Sequence, residues 1–228
     1  MKKLLALASL AVIGYALVAT MKFIPFGVDK MNPNVAGRYL REGVSHTGSV
    51  NIVTAIVVNY RGFDTLGEVT VLFLAATGLG AVLFDKRGQR TQRTPASLIV
   101  KSAALILFPL IVLLGAYVFV HGHLTPGGGF QGGVIIATGF LLMYMAFRSY
   151  DVSHAWLMAI ESLAGTTFVV LGLLGLIYGH SFLYNFLPLG KANAVFSAGV
   201  IPLIYVAIGL KVGSELTGIL DNLMETIR

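Results

Sequence analysis

His121-Gly122-His123-Leu124-Thr125-Pro126-Gly127-Gly128-Gly129-Phe130-Gln131-Gly132-Gly133 lies between two apolar runs, Leu98–Val120 and Val134–Phe147. Two histidines open the stretch and five glycines follow Thr125. It reads in three ways: a phosphate cradle, a metal site, or the turn of a membrane bundle. A Walker-type phosphate loop ends in Gly-Lys-Ser/Thr, so that the lysine meets phosphate and the hydroxyl meets magnesium. Here Val134 follows Gly132-Gly133, which excludes nucleotide binding. A metal site needs more ligands than His121 and His123, and no Cys, Asp or Glu lies nearby in sequence. The turn is what remains. Glycines there let the backbone pass close to its neighbours and start the next helix with free N–H groups, one of which Gln131 can satisfy. Each histidine is then either a satisfied loop residue or a proton-transfer group near neutral pH.

Composition decides the solvent. The chain has 228 residues, 56% hydrophobic and 11% charged, with a mean hydropathy of +0.83. Soluble domains carry about 25% charged residues, so this chain has too little charge to cover a water-facing surface. The 27 glycines suit close helix contacts in lipid. There is no cysteine, which excludes disulfides, iron–sulfur ligation and thiolate zinc sites. The net charge of +6 fits membrane-side basic loops, and no nucleic-acid partner is expected.

A spanning helix needs about 20 apolar residues. Six segments meet or approach that length: Leu4–Met21, Gly67–Phe84, Leu98–Val120, Val134–Phe147, Trp156–Tyr178 and Ala194–Leu210. The expected fold is therefore an all-α, polytopic membrane protein of about six transmembrane helices. The fourth reaches spanning length only by recruiting part of Gly129–Gly133. The first follows Lys2 and Lys3 like a signal peptide, but its apolar run is long for a signal core, so a retained helix is expected. Pro109 and Pro202 favour kinks in the third and sixth spans. Lys and Arg counts place both termini in the cytoplasm, with ten such residues inside and six outside. The stretch Asp85–Pro95 contributes most of that bias.

Two blocks follow from the spacing. Residues 1–94 form a two-helix unit with a long outer loop, and residues 95–228 form a four-helix unit. The long loop holds Val50–Val58, a β-branched apolar run too short to span. An open strand edge in lipid would leave backbone groups unsatisfied, so a short helix at the outer boundary or against a partner is expected. Arg61 and Asp64 stand three apart, able to pair on a helix at the membrane boundary.

Ionisable groups within spans are costly and default to functional candidates. Glu68 lies at the outer end of the second span, as a cation ligand or as a favourable charge at a helix N-terminus. Glu161 lies ~8 Å into the fifth span from Trp156, and Lys101 lies ~5 Å into the third. Both approach from the inner side and are expected partners, unless Lys101 snorkels to the headgroups. Glu161 is one half of a structural salt bridge, part of an ion path, or simply exposed at the interface. No nucleophile–base pair or full metal-ligand set is visible, so no catalytic activity is expected of this chain alone.

Two motifs carry a family resemblance. Gly122–Gly133, "GHLTPGGGFQGG", resembles the signature of the B subunit of the multisubunit Mrp (Mnh) cation/proton antiporters, and the likeness runs over roughly Pro95–Arg228. Val58–Phe73, "VNYRGFDTLGEVTVLF", resembles the C-terminal part of the antiporter A subunit and equally the E subunit of energy-converting membrane-bound hydrogenases. The resemblance implies a subunit of a cation/proton antiporter module in the cell membrane, related to the antiporter-like arm of respiratory complex I. Such a module is either stand-alone or the ion-translocating arm of a hydrogenase or sulfur-reducing complex. It implies Na+ and H+ as transported ions, no cofactor in this chain, and no tightly bound metal, with transient Na+ expected at Glu68 and Glu161. Its implied partners are membrane lipid, antiporter subunits of the A, C, D, E, F and G kinds, and hydrogenase-like redox subunits in the second setting. On this reading Glu68, Glu161, Lys101, His121 and His123 flank the mouths of one ion path. Arg61, Asp64, Gly127, Gly128 and Gly129 shape access to it. The alternative is a scaffold subunit that moves no ion.

Overall fold

The computed structural model describes residues 2–22, 35–84, 95–179 and 181–227. Among them there are helices and no strand. The helices are α1 (Lys2–Met21), α2 (Val35–Thr47), α3 (Ile52–Thr54), α4 (Gly62–Phe84), α5 (Leu98–Val120), α6 (Gly129–Ala146), α7 (His154–Gly179) and α8 (Ile201–Ile227). A π-helical segment, Ala55–Tyr60, joins α3 to α4. Five helices, α4 to α8, are long and apolar enough to cross a membrane, and α1 carries a shorter apolar run, Leu7–Met21. Residues 85–94, the basic stretch that sets most of the expected orientation, lie outside the described residues.

The chain divides into two compact units, Met1–Arg38 and Tyr39–Arg228. The first contains α1. Within the second, α8 is the hub: it touches α4, α5, α6, α7 and the π-helical segment. Small residues make that possible. A Cβ on Gly133 of α6 would stand 2.8 Å from the carbonyl oxygen of Gly209 on α8. One on Gly132 would stand 2.6 Å from the carbonyl oxygen of Gly115 on α5. Gly129-x-x-x-Gly133 and Gly209-x-x-x-Gly213 thus form the close-approach pattern of membrane helices.

Within Val50–Val58 the chain is helical from Ile52 on, as the argument from unsatisfied backbone requires, but the segment packs on this chain's own glycine turn. Asn51 caps α3, its side chain accepting from the N–H groups of Val53 and Thr54. Its Nδ2 also donates to the carbonyls of Gly122 and Thr125, both at 2.9 Å. Ser49 Oγ donates to the carbonyl of His123. Thr54 Oγ1 donates to that of Gly122 and accepts from Tyr205 of α8. The glycine turn is clamped from two sides.

One of the doubtful spans meets its condition and the other differs from expectation. The fourth does recruit the glycines and begins at Gly129. The sixth does not cover Ala194–Leu210. Residues 194–200 form turns, in which Ala198 and Gly199 have left-handed φ values of 66° and 59°. Asn185 locks this segment, accepting from Val200 N–H and donating to the carbonyl of Ala198. The helix starts at Ile201 and runs on to Ile227. Pro202 therefore sits in the first turn of α8, where its missing N–H is harmless and its fixed φ suits the helix.

Candidate functional site

The shift of the last helix brings Lys211, Glu215 and Asp221 inside a span. Lys211 lies ~15 Å along α8 from Ile201, near the middle of a hydrocarbon layer ~30 Å thick. Its Nζ is 3.4 Å from Glu161 Oε1 on α7 and 3.1 Å from Glu215 Oε2, one helical turn on. The stem of Lys211 runs past Gly165, where an added Cβ would meet it at 3.5 Å, an ordinary contact. Its ammonium stands 5.2 Å from the centroid of the Phe73 ring of α4, within cation–π range. Glu215 is buried, its side chain 1% exposed, and its Oε1 has no hydrogen-bond partner among the described residues.

Two cavities meet at this cluster. One, of about 460 Å³, is lined by Phe73, Thr77, His154, Glu161, Ser214 and Glu215, among others. The other, of about 280 Å³, is lined by Thr70, Phe73, Glu161, Ser162, Gly165 and Lys211, among others. Glu161 and Phe73 belong to both walls. At the first turn of α7, half-exposed His154 places Nε2 3.0 Å from Oδ2 of Asp221, which is wholly buried on α8. A polar line thus runs from the end of the bundle at His154 inward to Lys211, between helices that are otherwise apolar.

The expected partner of Glu161 is corrected here. Lys101 is on α5, and α5 and α7 make no contact among the described residues, because α6 and α8 fill the space between them. Glu161 pairs with Lys211 instead. Glu68 lies on an exposed face of α4 and lines neither cavity. Arg61 and Asp64 do pair, with Nε 2.6 Å from Oδ2, at the start of α4.

The two histidines belong to the clamped turn and line neither cavity. His121 stacks on Tyr117 with ring centroids 4.4 Å apart. His123 is wholly buried, and neither of its ring nitrogens has a hydrogen-bond partner among the described residues. Burial holds its pKa below the ordinary 6.5. The backbone of Ala194 and Val195 is close enough to oppose this but not to bond the ring. Gly127 and Gly128 lie against Val118 and Tyr205, and Gly129 lies against Ile208. These glycines serve packing.

Lys211, Glu215, Asp221 and His154 were not singled out in the sequence. The signal for the first two is their spacing, Lys211-x-x-x-Glu215, one turn apart on a helix. Reading Leu210 as the end of the span hid it.

Comparisons with known proteins bear on the family and the fold. A family model described as a domain related to the MnhB subunit of Na+/H+ antiporters matches residues 99–218. A second, described as the E subunit of MBH, matches residues 3–97. An uncharacterized protein of Methanocaldococcus jannaschii is 30% identical over 86% of this chain and 87% of its own length. A chain of an archaeal respiratory membrane complex, the membrane-bound sulfane sulfur reductase, superposes with a TM-score of 0.81. It is 48% identical, over 98% of both chains. A chain of the Mrp complex from Dietzia sp. DQ12-45-1b superposes with a TM-score of 0.73 at 28% identity, over 97% of this chain and 26% of that one.

Proposed function

The chain belongs to the family of domains related to the MnhB subunit of Na+/H+ antiporters, and from that premise we propose that it lends the antiporter module part of an ion path. It is a multi-pass membrane subunit of an antiporter-type module. Its share of the path is the line His154–Asp221, Glu215, Lys211 and Glu161. One observation carries the reading: Lys211, inside a spanning helix, is held between two carboxylates where two cavities meet. Charge placed there has a high cost in lipid and marks ion pathways. Na+ and H+ are the transported ions, and the chain itself carries no cofactor. The match over 98% of both chains supports a place in the ion-translocating arm of a respiratory complex, beside antiporter-type and redox subunits. The lysine and arginine bias of the loops supports a cytoplasmic side for both termini.

The test uses the assembled complex in sealed vesicles. Glu161→Gln and Lys211→Gln are each expected to lower Na+-dependent transport at least about ten-fold, a barrier change of about 1.4 kcal/mol, while the subunits still co-purify. Unchanged transport in an intact complex would leave the scaffold reading, which the hub position of α8 and the clamped glycine turn favour.

A further inference from the structure

The three charges of the mid-membrane cluster do not cancel. Glu161 and Glu215 bring two carboxylates, and Lys211 brings one ammonium. Every element around them can be checked for a compensating group. To the larger cavity α4 presents Phe73, Ala76, Thr77 and Gly80, none of which titrates. From α7 come Glu161 and His154, and His154 is turned to Asp221. On α8 the remaining acid is Asp221, which faces His154 at 3.0 Å. Tyr144 of α6 lies near Asp221 and brings a neutral hydroxyl, not a positive charge. The cluster is thus one positive charge short, and the shortfall has an address. Glu215 Oε1 is the carboxylate oxygen that Lys211 leaves without a partner, buried on a residue that lines the cavity of about 460 Å³.

We propose that Glu215 Oε1 is the binding position of one exchangeable monovalent cation, occupied by a proton or by Na+ but not by both. Ser214 and Glu161 line the same cavity. The exchange balances: protonated Glu215 and Na+ give the Glu215 carboxylate with bound Na+ and one released proton. An uncompensated charge in hydrocarbon is strongly disfavoured, so one ion leaves as the other arrives. The two ions therefore compete at one carboxylate, with Lys211 setting the capacity at a single charge. This inference rests on the intramembrane path proposed above and names the site on it.

The experiment records infrared difference spectra of the assembled complex in lipid nanodiscs on adding NaCl, with choline chloride as control. Na+ is expected to remove a protonated-carboxyl band and release a proton into lightly buffered solution. Glu215→Gln is expected to abolish that band. Glu215→Asp is expected to keep it, with the half-saturating Na+ concentration raised about ten-fold, the effect of one lost favourable contact. If Glu215→Gln does not assemble, Lys211→Gln reports the same count, because it raises the cation capacity from one to two and enlarges the proton release. A band unchanged in Glu215→Gln, an equal response to choline, or no gain with Lys211→Gln would overturn the site. If the site fails while Glu161→Gln still abolishes transport, the path stands. If all variants transport normally, the path itself falls.

Discussion

At the scale of the residue, Lys211 is the group on which the interior depends. It satisfies Glu161 and Glu215 together. Removing one partner of a buried ionic group leaves uncompensated charge and costs about 3–5 kcal/mol. Lys211→Met is therefore expected to destabilise the chain by that order, and Lys211→Met with Glu215→Gln and Glu161→Gln together to recover most of it. Thermal unfolding of the three forms in detergent is the check, and a triple variant no more stable than the single one would refute the account. His123 gives a second prediction. Its pKa is lowered by burial, so the unfolded chain binds the proton more readily than the folded one. Stability then rises with pH. Its contribution is complete above about 6.5, the ordinary value, and is lost as the pH falls from there. His123→Gln is expected to flatten the fall in unfolding temperature between about pH 8 and pH 5. An equal fall in both proteins would show that the imidazole is not its source.

At the scale of the element, the helices were legible and their ends only partly so. Long apolar runs announce α5 and α7 because lipid demands about 20 such residues. The start of α6 was legible too, as a run too short to span unless it took in the glycines. The last helix was misplaced because apolarity was the signal, and Lys211, Ser214, Glu215 and Thr217 interrupt it. Those residues are tolerated in a span since each finds a partner: Thr217 Oγ1 donates to the carbonyl of Gly213, and Ser214 Oγ to that of Leu210. The pairing of Glu161 with Lys211, 50 residues apart, depends on which helices touch, and no local pattern states that. Close approach is testable on its own. Gly133→Leu would drive a side chain into the backbone of Gly209 and Gly213. Overpacking costs about 1–3 kcal/mol or more where the obstacle is backbone. The variant is expected to lose α6–α8 packing, read as faster proteolysis of the detergent-solubilised chain. Gly14→Leu, where a Cβ meets nothing within 4 Å, is expected to behave as the parent protein does. Equal proteolysis of both variants would refute the close-packing argument.

At the scale of the whole molecule, burial is uneven, and the unevenness points outward. In its most apolar window α8 is 61% buried within the chain, whereas α4 is 6% buried. Among the helical elements α4 touches only α8 and the π-helical segment in the described residues, and Phe63 at its start packs edge-on against Phe182 of the turns after α7. The rest of α4 must meet lipid or another subunit. Glu68 separates the two cases, because it stands on an exposed face of α4 within the span. A carboxylate facing hydrocarbon costs about 2.5–3.5 kcal/mol at a helix centre even by the mildest scales. A partner subunit or a hydrated seam against one removes that cost. The chain has no cysteine of its own, so Glu68→Cys introduces a unique thiol. That thiol is expected to react with a water-soluble maleimide at least about ten-fold more slowly in the assembled complex than in the isolated, detergent-solubilised chain, as a reagent-excluding interface requires. Phe196→Cys, 95% exposed on the turn before α8, calibrates the reagent in both preparations. Equal rates at position 68 would leave this face of α4 uncovered by any partner and remove Glu68 from the inter-subunit path.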